Sequence, residues 1–257
     1  ALDQGEKPSV VSAIAKYHVT ERARLIINDG MDVVGGKGVC MGPGNFLARA
    51  YQQIPVAITV EGANIMTRTL IIYGQGAIRC HPYVLTLMRT AGAGDLKPFD
   101  AALFGYVGFL FRNMARAFAF SLTGGQLIAA PWNAAPQLRG YYRSATRLST
   151  LLALASDLSM ATVGGALKRK GTMTGRMGDI LSQLFVLSSV LKRFEDEGRP
   201  AEDLPFVHWA AKDALARAGT AWRPGKSGRR GVERRGRRQR ASARAWRTKR
   251  RSTRRAC

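Results

Sequence analysis

The side chain most suggestive of chemistry is Glu61. In "IPVAITVEGANIMTR", residues 54–68, it stands between Ile54, Val56, Ile58 and Val60 on one side and Ile65 and Met66 on the other, with no Lys or Arg within six residues. A carboxylate among apolar groups either reaches water or has its charged form penalised by desolvation, which raises its pKa and makes it a stronger base near neutral pH. The residues alone leave both readings open, a solvent-facing Glu at a helix start or a general base. A second cluster, "GGKG" at residues 35–38, has glycines that let backbone N–H groups approach a phosphate. It is not a Walker loop, because the spacing from Gly30 puts Gly36 where the Lys belongs and the preceding pattern is helical. Its minimal role is a helix C-cap and tight turn. His18, His81 and His208 lie on separate elements without Cys or carboxylates at ligand spacing, so no metal site is expected. No Ser or Cys stands in a nucleophile-elbow sequence, and hydrolase chemistry is unsupported.

The elements that must position these residues are helical. No segment sustains an alternation of period two. Pro8 opens a first helix whose apolar positions, Val11, Ile14, Ala15, His18, Leu25, Ile26 and Val33, run to a stop at Gly35-Gly36. A short helical piece around 46–52 should end before Pro55. A second long helix should start near Gly62 and run to a break at His81-Pro82, resuming at Tyr83. "AGAGDLKPFD" marks a boundary between residues 92 and 100. Helices at about 99–122, 138–168, 175–195 and 205–218 follow, each broadly apolar on one face, as in a bundle. Leu148–Leu167 has the length of a membrane span, but Asp157, several Ser and Thr, and Gly164-Gly165 point to a buried bundle helix. The expected fold is therefore all-α, with divisions at 1–92, 93–218 and a tail at 219–257.

The segment from Ile14 to Arg68 resembles the C-terminal catalytic region of acyl-CoA dehydrogenases. That pattern is a helix closing on Q-x-x-G-G-x-G, then an apolar run ending in Y-E-G-T with an Arg in the next helix. Gly35, Gly36 and Gly38 match the turn, Glu61 and Gly62 match the E-G, and Arg68 matches the Arg. The departures are Asp32 for Gln, Val60 for the aromatic, Ala63 for Thr and Ile65 for Gln. The wider stretch "KPSVVSAIAKYHVTERARLIINDGMDVVGGKGVCMGP", with "GQGAIRCHPYVL" and "LKRFEDEGRPAEDLPFVHWA", is similar to the large bacterial type, in which an extra helical domain follows the catalytic region. It covers roughly residues 7–217.

The resemblance implies FAD-dependent α,β-dehydrogenation of a fatty acyl-CoA to the trans-2-enoyl-CoA, as in β-oxidation. Glu61 would be the base that removes the α-proton and Gly62 would let the acyl chain pass. Asp32, Gly35, Gly36, Ala63 and Ile65 would stand at the flavin-contacting positions, in the family often across a subunit interface. It further implies electron-transfer flavoprotein as acceptor, a homo-oligomer, and a cytoplasmic enzyme with peripheral contact to the inner membrane. An acyl-CoA oxidase relative, or a non-catalytic helical protein, is the alternative. The opening "ALDQGEKPSV", without initiator Met or signal-peptide layout, reads as a start inside a longer protein whose other domains complete the flavin site.

The formal charge of +23 concentrates at the end, where residues 221–257 hold 16 of the 40 Lys and Arg against Glu233 alone. Such a run cannot bury enough apolar surface to fold and is expected to be disordered. Its cations would attract nucleic acid or anionic membrane without sequence preference. A composition rich in Arg and poor in Lys is also what a GC-rich gene yields out of frame, and that reading is preferred over a nucleic-acid partner. The three cysteines, Cys40, Cys80 and Cys257, are far apart and odd in number, which suggests no disulfide framework and fits a reducing compartment.

Overall fold

The computed structural model describes residue 5 and residues 8–222; of the tail expected to be disordered from residue 219, residues 219–222 instead continue the last helix, Leu204–Trp222, and the remainder lies outside the described residues. The described residues are mostly helical and contain no strand. α1 (Ser9–Val34) is preceded by Pro8 and closed by Gly35, whose φ of 68° is one that glycine adopts without a Cβ clash and whose N–H donates to the Met31 carbonyl. A 3-10 turn, Gly35–Val39, follows, and then α2 (Leu47–Thr59). α2 continues through Pro55, contrary to the expected break. Proline forfeits one ladder hydrogen bond, but its φ is compatible with a helix, and packing against α1 holds the segment together.

The next helix opens as α3 (Asn64–Met66), widens into a π-helical stretch at Thr67–Gln75 and ends as α4 (Gly76–Arg79). The consecutive residues Ile72 and Tyr73 are both buried and serve two different cores. Ile72 packs with Ala13 and Ile14 of α1. Tyr73 packs with Leu152, Met177, Ile180 and Leu184 of the helices that follow. The break at 80–83 and the resumption as α5 (Val84–Ala93) are as expected. His81 makes this corner. Its Nδ1 accepts from the backbone N–H groups of Tyr83 and Val84, each at 3.1 Å, so its proton sits on Nε2, which donates to Asp157 Oδ1 at 2.9 Å. Burial pushes the Asp157 carboxyl above its usual range, and the His81 contact opposes that shift.

α6 (Leu96–Leu122), α7 (Arg139–Val163), α8 (Gly171–Asp196) and α9 (Leu204–Trp222) form the rest of the bundle. α8 begins four residues before its expected start, because Gly171–Thr174 already take helical angles. α7 runs between α6 and α8, with Thr150, Leu152, Asp157 and Ser159 buried. The segment Pro136–Leu167 is long and apolar enough to cross a membrane by length and composition. The largest core joins Leu138 to Leu187, Leu191 and Phe194 of α8 and to Val207, Ala211 and Ala214 of α9.

His18 of α1 makes stability depend on pH. Burial, reinforced by the charges of Arg22 and Arg217, lowers its pKa to about 4 from an ordinary 6.5. Above pH 6.5 the imidazole is neutral in both folded and unfolded chains, and the folded state loses nothing. Between pH 6.5 and about 4 only the unfolded chain takes up the proton, so stability falls as pH falls through this window. Urea midpoints of the wild type and His18→Leu should therefore diverge in slope between pH 7 and pH 4.5, the variant being flatter. Parallel slopes would show that His18 protonates freely in the fold.

Candidate active site

α2 ends at Thr59, and Val60 leaves it in an extended conformation. Glu61 and Gly62 then take φ of 56° and 97°, and Asn64 starts the next helix. Two consecutive residues at positive φ interrupt the helical path, and the helix that follows runs antiparallel to α1 as α2 does, with Ile72 against Ala13 and Ile14. Only a glycine takes such angles without strain, so the Glu is there because its surroundings hold it. The carboxylate is exposed. Around it Val56, Val60, Ile65 and Met66 are also exposed, at 57%, 47%, 69% and 52%. The apolar residues that seemed in sequence to enclose the carboxylate thus form an open rim beside it among the described residues. They offer a surface on which an aliphatic chain could lie.

The turn is held from α1. Lys16 Nζ donates to the carbonyls of Ile58 (3.1 Å) and Gly62 (2.9 Å) and to Asn64 Oδ1 (2.7 Å). The buried amide of Asn64 donates in turn to Thr20 Oγ1 and Glu21 Oε1, both at 2.9 Å. Within a window of six residues Glu61 looked remote from any cation; folding brings one to its turn from a distant helix. Nothing in the local pattern around Lys16 marks it for this role, since a half-buried Lys on an amphipathic helix is ordinary.

On the other side the helix after Glu61 is held by α8. Arg68 meets Asp179 in a two-point ion pair, Nε and Nη2 each 2.5 Å from a carboxylate oxygen. This pairing raises the Arg68 pKa against the opposing effect of burial. α8 comes this close because Gly178 faces the Arg68 carbonyl, where a Cβ would lie 2.3 Å from the oxygen.

The remaining candidates divide between two places. Glu61, Gly62, half-buried Ala63 and exposed Ile65 share the turn. Asp32, Gly35 and Gly36 are exposed at the far end of α1. The first group is anchored to α1 at Lys16–Glu21, so the second lies roughly 17 Å further along the helix axis at a rise of about 1.5 Å per residue. At that far end Asn45, which the sequence did not single out, organises the glycine turn. Its Nδ2 lies 2.5–2.9 Å from the carbonyls of Lys37, Gly38 and Cys40, and its Oδ1 accepts from the N–H groups of Leu47 and Ala48 at the start of α2. Gly35 and Gly36 have open space where a Cβ would be, beside the exposed Lys37. An open backbone next to a cation suits a diphosphate group.

Two family models match the chain. The acyl-CoA dehydrogenase C-terminal domain matches residues 1–75, and the acyl-CoA dehydrogenase C-terminal domain of bacterial type matches residues 78–224. No solved structure matches it.

Proposed function

This chain belongs to the acyl-CoA dehydrogenase family, and from that premise we propose that it contributes the general base, Glu61, to the α,β-dehydrogenation of a fatty acyl-CoA. The observation that carries the reading is the left-handed Glu61-Gly62 turn beside the exposed rim of Val56, Val60, Ile65 and Met66. A carboxylate at the edge of an apolar surface is what proton removal from the second carbon of an acyl thioester requires, with the chain lying on the rim and the head group projecting from it. Gly62 adds no side chain where the acyl chain would pass.

In the step itself the Glu61 carboxylate takes the α-proton, and its electron pair forms the new double bond as a hydride leaves the β-carbon. The family is generally FAD-dependent, and the flavin supplies the hydride acceptor when bound. On this chain Gly36 would meet its diphosphate through its backbone N–H, while Gly35, whose own N–H donates to the Met31 carbonyl, would leave room for the approach; Asp32 would lie beside them and Ala63 and Ile65 at the other contact. Because these two places lie far apart along α1, they suit flavins at different sites, as in an assembly where one protomer contacts the cofactor of its partner. The Glu61 backbone N–H is the donor for the thioester carbonyl, which makes the α-proton more acidic. An acyl chain and flavin lying over the turn would exclude the water that now reaches the carboxylate.

The reading extends to a homo-oligomer, to electron-transfer flavoprotein as acceptor and to a cytoplasmic enzyme with peripheral membrane contact. The exposed Phe104, Phe111, Phe118 and Leu122 on α6 supply an apolar surface for such contacts. The test uses the flavin-loaded enzyme and a saturated acyl-CoA deuterated at the α-carbon. The expected product has lost one hydrogen from each of the α- and β-carbons, and the reaction shows a primary isotope effect. A product of unchanged mass would overturn the reading, and stoichiometric hydrogen peroxide would move it to an oxidase.

A further inference from the structure

A side chain with a Cβ stays in the left-handed region only where its surroundings over-determine the backbone. For Glu61 the determining contacts come from α1. The Lys16 ammonium has three N–H donors and three acceptors within 3.1 Å. Two of those acceptors, the carbonyls of Ile58 and Gly62, bracket Glu61 on either side. The third, Asn64 Oδ1, belongs to a side chain only 4% exposed, whose amide is fixed by Thr20 and Glu21. The loop closes on itself, because Thr20 Oγ1 donates to the Lys16 carbonyl at 2.8 Å and Thr67 Oγ1 donates to the Gly62 carbonyl at 3.2 Å. The Ile58 and Gly62 carbonyls and the whole Asn64 amide are thereby engaged, while these contacts leave the exposed Glu61 carboxylate free.

We infer that Lys16, acting through Asn64 and the Gly62 carbonyl, is the positioning residue that fixes the turn and so presents the Glu61 carboxylate to substrate in one orientation. This rests on the assignment of Glu61 as base and adds what holds it. Lys16 touches no reacting atom; it acts by removing alternative conformations of the residue that does. A compact ammonium can serve three acceptors converging on one point, which the planar fork of an Arg cannot.

The test has a structural arm and a kinetic arm. In the 257-residue chain, glutamyl endopeptidase should cut the Glu61–Gly62 bond slowly in the wild type and about tenfold faster or more in Lys16→Met and Asn64→Ala, with little change in the thermal midpoint, since the opening is local. In the flavin-loaded enzyme Lys16→Met should lower kcat roughly 10- to 100-fold, the scale of a small misplacement of a catalytic group, with KM nearly unchanged. Ethylamine should restore part of kcat to Lys16→Ala. In a Glu61→Gln background Lys16→Met should cause no further loss, because it acts through Glu61. An equal further loss in that background would overturn the inference. Unchanged cleavage and unchanged kcat, with Glu61→Gln inactive, would sink the role of Lys16 alone. An active Glu61→Gln enzyme would instead sink the base assignment, and the catalytic half of this inference with it, whatever the protease shows.

Discussion

Glu61→Gln in the flavin-loaded enzyme should lower the rate of acyl-CoA dehydrogenation by about 10²–10⁴-fold, the usual range for removing a general base. The amide matches the carboxylate in shape, and the hydrogen bonds that hold the turn use the backbone of Ile58 and Gly62 and the Asn64 side chain, not the Glu61 head group. The variant should therefore fold, retain its flavin and bind substrate, and fail only at removal of the α-proton. Anaerobic bleaching of the flavin by a saturated acyl-CoA is the direct measurement. Slow bleaching at unchanged flavin content is the expected result. Bleaching at the wild-type rate would remove Glu61 from the chemistry, and the carboxylate would then be a solvent-facing residue at a helix start.

The second large effect is on stability. Gly178→Ala should destabilise the fold by about 1–3 kcal/mol, the range of overpacked cores. The opposing gain is real, since Ala is favoured over Gly within a helix by ~1 kcal/mol. It loses here because the added methyl would sit 2.3 Å from the Arg68 carbonyl oxygen. A backbone atom cannot turn aside as a side chain can, so α8 must move away from the π-helical stretch and the Arg68–Asp179 pair must lengthen. Gly175→Ala is the control. There the new methyl would meet the Arg68 guanidinium and the Thr69 methyl at 3.2–3.3 Å, both of which can shift. Urea denaturation should show a lower midpoint for Gly178→Ala and a much smaller change for Gly175→Ala. Equal stabilisation of both variants would mean that α8 and the helix after Glu61 do not approach this closely.

Much of the fold was legible in local patterns. The stop of α1 at Gly35, the turn at Glu61-Gly62, the corner at His81 and the all-helical architecture each depend on a few neighbouring residues, through hydrophobic period, glycine's freedom at positive φ and proline's missing N–H. α2 shows the limit of such reading. A proline signals a break, but packing against α1 was enough to carry the helix through it. Likewise "TMTG" reads as a linker, yet it forms the first turns of α8.

By itself the sequence determined that the chain is helical and where several helices stop, which family pattern the chain follows, and that a carboxylate and a glycine stand together before a helix. Only the tertiary structure decided what holds them. Lys16 meets Asn64 across 48 residues, His81 meets Asp157 across 76, and Arg68 meets Asp179 across 111. None of these partners is signalled by spacing, because periodicity within a helix says which face is apolar but not which distant helix will lie against it. A half-buried Lys, a Gly in the middle of a helix and an Asp in an apolar run each have an unremarkable local reading. Each acquires its role when close packing brings another backbone within reach, and the need to satisfy buried polar groups then selects the pairing.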